Sequence, residues 1–467
     1  MNVFPVACHT DNIGPGSVFV AIKGQKQNGV DYIMKALQQG ATTIVVQQDD
    51  KLSCDIVKKV QDVGAQLQFV ENSRQALADL SAKKNGYPAK KLKIVGVTGT
   101  KGKTSTAFML EHILQTAGYK TALLSTVHNK ILTTTYKASL TTAQPDYLHA
   151  FFSRCVDAGV EYVVMEVAAQ ALTLHRVAGV QFDGVVFTNF SQEHAEFYSS
   201  MDDYFAAKCL LFESLKPEAP VLVNNDDRHG EKILQNYPTF LSFGLCDAVI
   251  CAERYSAEDT LYCRVFWKEQ LFDIFCQSLF GQFNVYNMLG AVGLALQLGV
   301  SDDLCKNAMK TFSGAPGRLE RYQLPNGSSC FIDYAHNPSS FEVVLSSLRL
   351  RTKHLIVLFG SGGERDRIKR PTMGAIASKI ADHVVITSDN PRSENVHDII
   401  DQIYVGVAEN DQHKITCEAD RKTAIEIAYR VSQKDSIIAL LGKGPDEYEL
   451  IGDKKIPFSE KTILKSL

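Results

Sequence analysis

Several things that would fix a function class at once are missing from this 467-residue chain. No run of apolar residues approaches the roughly 18 needed for a spanning helix, so no membrane insertion is expected. The opening stretch MNVFPVACHTDN also lacks the basic-then-apolar layout of a secretory leader. An excess of one charge is missing too. Its 49 Lys and Arg stand against 52 Asp and Glu, interspersed to a net charge of −3, which argues against a nucleic-acid footprint or a polybasic membrane patch. The expected partners are small molecules. There are eleven cysteines but no CxxC pair, and an odd, scattered set reads as reduced core residues of a cytoplasmic protein rather than a disulfide framework.

What the chain does have is a phosphate cradle. In residues 91–117, KLKIVGVTGTKGKTSTAFMLEHILQTA, an apolar strand runs into a Gly-rich turn and then an amphipathic helix. Gly99 and Gly102 let the backbone turn its N–H groups inward, and the helix starting at Lys103 points its positive end at a bound anion. Lys103 is placed to meet the β- and γ-phosphates, and the Thr104 hydroxyl to reach Mg²⁺. The strict G-x4-G-K-[ST] template would need glycine where Val97 stands, so this is a variant form.

The rest of the sequence alternates strands and helices around that turn. At 467 residues three domains are expected, all α/β: 1–88, 89–316 and 317–467, with linkers at NGYPA (85–89) and GAPGR (314–318). The first is a small unit with strands at 17–24, 41–48 and 66–70 and helices at 31–40 and 73–84. The second alternates strands at 120–125, 160–167, 183–189 and 220–226 with helices, the pattern of a doubly wound, mostly parallel sheet. An antiparallel ribbon is expected over 247–280 and an amphipathic helix over 284–299. The third is Rossmann-like, with strands at 330–335, 354–360, 383–387, 414–419 and 436–442. GSGGER (360–365) has Arg365 where a dinucleotide fingerprint needs its last glycine, which argues against NAD.

Taken together, GTKGKTS (99–105), MEVAAQAL (165–172), RVAGV (176–180), FTNFSQEH (187–194), YFAAKCLLF (204–212), GQFNVYN (281–287), GAPGRLE (314–320), DYAHNP (333–338), GSGGERDRIKRP (360–371), DNPRSE (389–394) and LLGKG (440–444) resemble the Mur ligases over essentially the whole chain. Within that family they are similar to the type that adds the third amino acid of peptidoglycan precursors. The resemblance implies a cytoplasmic, monomeric, ATP-dependent acid–amino-acid ligase in cell-wall synthesis. In that chemistry a substrate carboxylate attacks the γ-phosphate, and an amine then displaces phosphate from the acyl phosphate. Two anions must meet, so cations and metal ions supply much of the rate.

The resemblance also implies roles. Lys103, Glu166, His194 and Lys208 are the expected catalytic group. Thr104, Glu166, His194 and Lys208, the last as a CO₂-derived carbamate, are expected at two Mg²⁺ sites. ATP is expected on Gly99, Thr100, Lys101, Gly102, Lys103, Thr104 and Ser105, with Asn284, Asn287, Arg318, Asp333 and His336 toward adenosine. Thr141, Thr142 and Arg176 are expected to meet the UDP-muramoyl substrate. Arg365, Asp389, Asn390, Pro391, Arg392, Gly442 and Asp446 are expected to select the amino acid. DNPR is the form of that motif that goes with meso-diaminopimelate, because Arg392 can grip a carboxylate bidentately, a group that lysine lacks at its far end.

The departures from the family pattern lie on the substrate side. Thr10, Asp11 and Asn12 stand for D-S-R, and Ala168, Ala169 and Gln170 for S-S-H. Thr141, Thr142, Ala143, Gln144 and Pro145 replace T-T-P, Gln192, Glu193 and His194 replace R-D-H, and Pro445 and Asp446 end what is otherwise G-K-G-H-E. Three readings stay open: a divergent enzyme of peptidoglycan synthesis, a paralogue joining another carboxylate to lysine or a specialised metabolite, and a non-catalytic nucleotide-binding relative. Retention of Lys103, Glu166, His194 and Lys208 speaks against the last.

Overall fold

The computed structural model describes residues 3–24, 27–193 and 197–467. The expected metal ligand His194 lies outside the described residues. The chain forms two compact units. The first comprises Met1–Glu253, Arg264–Asp273 and Tyr286–Met309; the second comprises Arg254–Cys263, Ile274–Val285 and Lys310–Leu467.

The first unit opens with four parallel strands, β1 (Val6–Ala7), β2 (Val18–Val20), β3 (Thr43–Gln47) and β4 (Gln66–Val70), paired in chain order. Both faces are covered. Val18, Val20 and Val45 pack with Leu77 on one side, while Phe19, Ala21, Ile44 and Val46 face the other core. Continuous apolar strands of this kind are what a parallel sheet buried on two faces requires. The expected strand at 66–70 and helix at 73–84 fall as anticipated. The helix Cys54–Asp62 was not anticipated, since its apolar positions are few and only Val60 is buried.

The central sheet holds β5 (Lys93–Thr98), β6 (Thr121–Leu124), β7 (His128–Ile131), β8 (Thr134–Lys137), β9 (Tyr162–Glu166), β10 (Gly184–Phe187), β11 (Val221–Asn224) and β12 (Leu241–Gly244). The ribbon β13 (Ile250–Ser256), β14 (Leu261–Trp267) and β15 (Gln270–Cys276) continues it. The order is β15-β14-β13-β12-β11-β10-β5-β9-β6-β7-β8. β5 is therefore flanked by the later strands β10 and β9, both parallel to it, and the chain winds away from it in both directions. That is the switch point where ligands of such sheets bind, beyond the strands' carboxyl ends.

The second unit carries β16 (Glu320–Gln323), β17 (Ser329–Asp333), β18 (Leu355–Phe359), β19 (His383–Ile386), β20 (Ile415–Cys417) and β21 (Ile437–Leu441) in the order β16-β17-β21-β18-β19-β20. Only the edge strand β16 runs antiparallel. Alternate residues feed two cores: Phe331, Val357, Phe359 and Ala439 on one face, Ile332, Ile356, Leu358 and Ile438 on the other. A hairpin, β22 (Tyr448–Ile451) with β23 (Lys454–Pro457), follows. No periodicity marks it, because its strands are only four residues long and none of their residues is fully buried.

Candidate active site

The Gly-rich turn joins β5 to the helix Lys103–Thr116. Gly99 has φ 138° and Gly102 φ 83°. A Cβ on Gly99 would lie 2.0 Å from Thr188 Oγ1, and one on Gly102 2.2 Å from Asn287 Oδ1. Both positions therefore exclude any side chain, for conformation and for space.

Sheet register brings three strand ends to this turn. Val97 pairs with Glu166 at the end of β9, and Thr98 with Phe187 at the end of β10. Thr188 and Asn189, just beyond β10, clamp the loop. Thr188 Oγ1 donates to Lys101 O at 2.6 Å, while Asn189 accepts from Lys101 N at 2.9 Å and donates to Lys101 O at 3.1 Å. Thr100 N bonds Asn189 O at 2.8 Å. Lys103 Nζ lies over the loop's own carbonyls, 2.9 Å from Gly99 O and 2.8 Å from Thr100 O. Ser105 follows, half-buried, in the first helical turn.

Glu166 is buried at 1% exposure, and its carboxylate collects three donors. Thr104 Oγ1 reaches Oε1 at 2.9 Å, Thr126 N the same oxygen at 2.8 Å, and Thr126 Oγ1 reaches Oε2 at 3.1 Å. Thr104 and Glu166, both expected at Mg²⁺ sites, are thus in direct contact. No sequence motif marks Thr126, which lies two residues beyond the end of β6. Thr142 Oγ1 donates to Glu166 O and accepts from Ala168 N, Thr141 Oγ1 accepts from Thr126 Oγ1, and Arg176 Nη1 donates to Thr142 O. These residues form one web around the end of β9.

Lys208 arrives from the helix Met201–Cys209, 1% exposed. Its Nζ donates to Gly99 O at 2.8 Å and lies 4.6 Å from the centre of the Tyr204 ring. No carboxylate forms an ion pair with it among the described residues. Burial, reinforced by the charge of Lys103, holds the ammonium well below its ordinary value and favours the neutral amine. Asn287, on the helix Gln282–Gln297, accepts from Thr106 Oγ1 at 3.4 Å. Among the described residues no group of three or more His, Cys, Asp or Glu stands ready to hold a metal ion, and Glu166 is the one described carboxylate of the expected set. The glycine cradle and the direct Thr104–Glu166 contact fit an Mg²⁺–nucleotide at the end of β5.

Of the remaining expected residues, Asp333 and His336, Arg365, Asp389 to Arg392, and Gly442 and Asp446 lie at or beyond the carboxyl ends of β17, β18, β19 and β21 respectively. Asp333 ends β17, where its carboxylate accepts Leu319 N and Ala335 N, each at 2.8 Å. Burial raises its pKa and Arg318 opposes the rise. The Arg318 guanidinium lies 4.8 Å from the centre of the Tyr334 ring, and His336 Nδ1 is 2.8 Å from Tyr334 O. Asn284 donates to Phe280 O.

Beyond β19, Asp389, Asn390 and Pro391 are buried, and Arg392 adopts φ 52°. Its backbone is strapped to the hairpin, N to Leu450 O at 2.9 Å and O from Gly452 N at 2.8 Å. Arg392 Nη1 donates to Gly363 O at 2.6 Å, whereas Arg365 is exposed. Lys443, fully buried, donates to Tyr448 O at 2.7 Å and Asn390 Oδ1 at 3.3 Å and lies 3.6 Å from Asp389. Gly442 (φ 105°) passes Asp389 closely. The Asp446 carboxyl is raised by burial and then by Asp389. Sequence reading left Arg370 and Glu394 without a role and did not single out Arg421, whose guanidinium, fully buried, ties Ser388 O and Leu441 O to Glu460.

Comparison with known proteins agrees with this geometry. Three family models match in chain order: the Mur ligase family catalytic domain at residues 6–85, the Mur ligase middle domain at 97–295, and the Mur ligase glutamate ligase domain at 317–444. A UDP-N-acetylmuramoyl-L-alanyl-D-glutamate–2,6-diaminopimelate ligase of Clostridium botulinum is 35% identical, the match covering 97% of this chain and 92% of that one. A solved structure of a ligase of the same name is 25% identical with TM-score 0.66, covering 99% of this chain and 94% of that one. The MurF ligase of Thermotoga maritima, solved in complex with ADP, shares the fold at 19% identity and TM-score 0.66, with 93% of each chain covered. With a phosphate loop, a strand-end carboxylate and a buried lysine assembled on this fold, and relatives of this identity along its full length, the chain belongs to the Mur ligase family.

Proposed function

We propose that this chain is an ATP-dependent ligase that joins meso-diaminopimelate to a UDP-N-acetylmuramoyl dipeptide, forming ADP and phosphate. The observation that carries the reading is Lys208, a buried lysine donating to the carbonyl of the phosphate loop itself. A protein needing only nucleotide occupancy gains nothing from burying there an amine that has no carboxylate partner among the described residues. Its neutral form is the nucleophile that captures CO₂: the nitrogen–carbon bond forms as one C=O π pair moves to oxygen, one proton leaves the nitrogen, and a neutral amine becomes an anion. When bound, Mg²⁺ supplies charge neutralisation between the attacking carboxylate and the γ-phosphate. Thr104, Glu166, His194 and carbamylated Lys208 are its proposed ligands.

The chain's own residues do the positioning. Lys103 neutralises the transferring phosphoryl group, and Gly99 to Ser105 wrap it with backbone donors. Asn284, Asn287, Arg318, Asp333 and His336 are assigned to the nucleoside, and Thr141, Thr142 and Arg176 to the uridine-nucleotide substrate, on family resemblance. Arg392, with Arg365, is proposed to hold the distal carboxylate of diaminopimelate, and Asp389, Asn390 and Asp446 its ammonium groups, with Gly442 leaving room. The functional division follows 1–88, 89–316 and 317–467.

A second reading, a paralogue acting on another carboxylate, draws on the altered substrate motifs. Enriched bicarbonate should give a carbamate carbon resonance in the wild type that is missing in Lys208→Ala. Identical spectra would remove the carbamate from the account.

A further inference from the structure

Arg392 is an unusual anchor for a carboxylate. It occupies left-handed backbone, and its side chain leans on a loop carbonyl, Gly363 O. Something must hold that loop still, because a bidentate grip fails when the fork is misplaced by about 1 Å. The loop around Gly362 and Gly363 interlocks with the DNPR turn. Gly363 N donates to Asn390 O at 2.9 Å, and a Cβ on Gly363 would lie 1.8 Å from Pro391 O.

Beneath both lies Arg370, from the helix Lys369–Ile380, with no exposed side-chain surface. Nη2 donates to Gly362 O at 3.0 Å and to Glu394 Oε1 at 3.2 Å. Nη1 donates to Glu394 Oε2 at 2.9 Å and to Gln402 Oε1 at 2.8 Å. Glu394, two residues beyond Arg392, also accepts from Glu364 N and pairs with Arg367 at 3.2 Å.

We propose that the Arg370–Glu394 pair is a positioning device for amino-acid selection, fixing the Gly362–Gly363 loop against the DNPR turn so that the Arg392 guanidinium presents its fork in one orientation. The inference rests on the reading of Arg392 as the group that holds the amino acid's distal carboxylate. The fork of Arg370 ties one carboxylate, one amide and one backbone carbonyl from three segments into a single arrangement. A buried ion pair is a weak source of stability compared with apolar packing, and its best-attested use is to specify geometry. Glu394 keeps its charge throughout the neutral range, since the hydrogen bond from Arg370 holds its carboxyl down to about 2.

The test is steady-state kinetics of the full-length protein with meso-diaminopimelate, comparing wild type, Glu394→Gln, Arg370→Lys, Arg392→Lys and the double variant Arg392→Lys/Glu394→Gln, all below their unfolding temperatures. Glu394→Gln should raise the diaminopimelate KM by about tenfold or more, with kcat and the ATP KM within about twofold. Arg370→Lys should fall between wild type and Glu394→Gln. The double variant should be no worse than Arg392→Lys alone, because both changes act through one group. A lowered Tm with unchanged diaminopimelate KM, equal rises in both KM values, or multiplying effects in the double variant would each overturn the proposal. A wild type that does not distinguish diaminopimelate from lysine would overturn the substrate reading and this inference with it. A selective wild type with an unaffected Glu394→Gln overturns the inference alone.

Discussion

Gly99→Ala isolates the phosphate loop. At φ 138° an alanine is strained by about 1–3 kcal/mol. Its Cβ would also stand 2.0 Å from Thr188 Oγ1 and 3.0 Å from both the N and O of Asn189. Thr188 is 3% exposed and bonds Lys101 O at 2.6 Å, so pushing its hydroxyl aside breaks a buried hydrogen bond worth about 1–3 kcal/mol when left unmade. The two effects together come to about 2–6 kcal/mol, and they fall on the loop that presents N–H groups to phosphate. If half is felt as lost preorganisation, Mg-ATP binding weakens by about fivefold to about 150-fold. Calorimetric titration with a non-hydrolysable ATP analogue reads this directly. Gly118→Ala is the control. Gly118 has φ 90° with nothing within 4 Å of an added Cβ, so it carries backbone strain without the contact. Gly99→Ala binding the nucleotide within about twofold of wild type would refute the reasoning.

Three further outcomes are expected. Lys208→Ala should abolish turnover without rescue by added bicarbonate; a near-normal rate would rule out the carbamate. Arg392→Lys should raise the diaminopimelate KM far more than the ATP KM, because a point charge cannot replace a planar fork. An unchanged amino-acid KM would mean that DNPR does not select. His149 is buried with neither ring nitrogen hydrogen-bonded among the described residues, and burial lowers its pKa to about 4 from 6.5. The unfolded chain therefore binds a proton that the folded chain refuses between those values. Stability is full above pH 6.5 and falls as pH drops toward 4, by up to about 3 kcal/mol. His149→Leu should flatten that acid limb in denaturant titrations, and an unaltered limb would show that His149 does not drive it.

Much of the site was legible because its residues are tied to strand ends. Gly99, Glu166 and Asn189 each follow an apolar run whose carboxyl end the pattern located, and parallel pairing then had little choice but to converge them. The hairpins β7–β8 and β22–β23 were not legible: short polar strands such as Thr134–Lys137 and Lys454–Pro457 bury almost nothing, so no periodicity marks them. Nor were the braces. Thr126, Arg370, Glu394 and Arg421 act by touching residues far away in the chain, a property that spacing does not encode.

The most direct test of the central claim is phosphate release from the purified protein with Mg-ATP and the UDP-muramoyl dipeptide, supplied with meso-diaminopimelate, with lysine, or with each component left out in turn. The account predicts release only when the dipeptide and diaminopimelate are both present. Release with lysine instead, or none with either amino acid from a protein that still binds ATP, would contradict it.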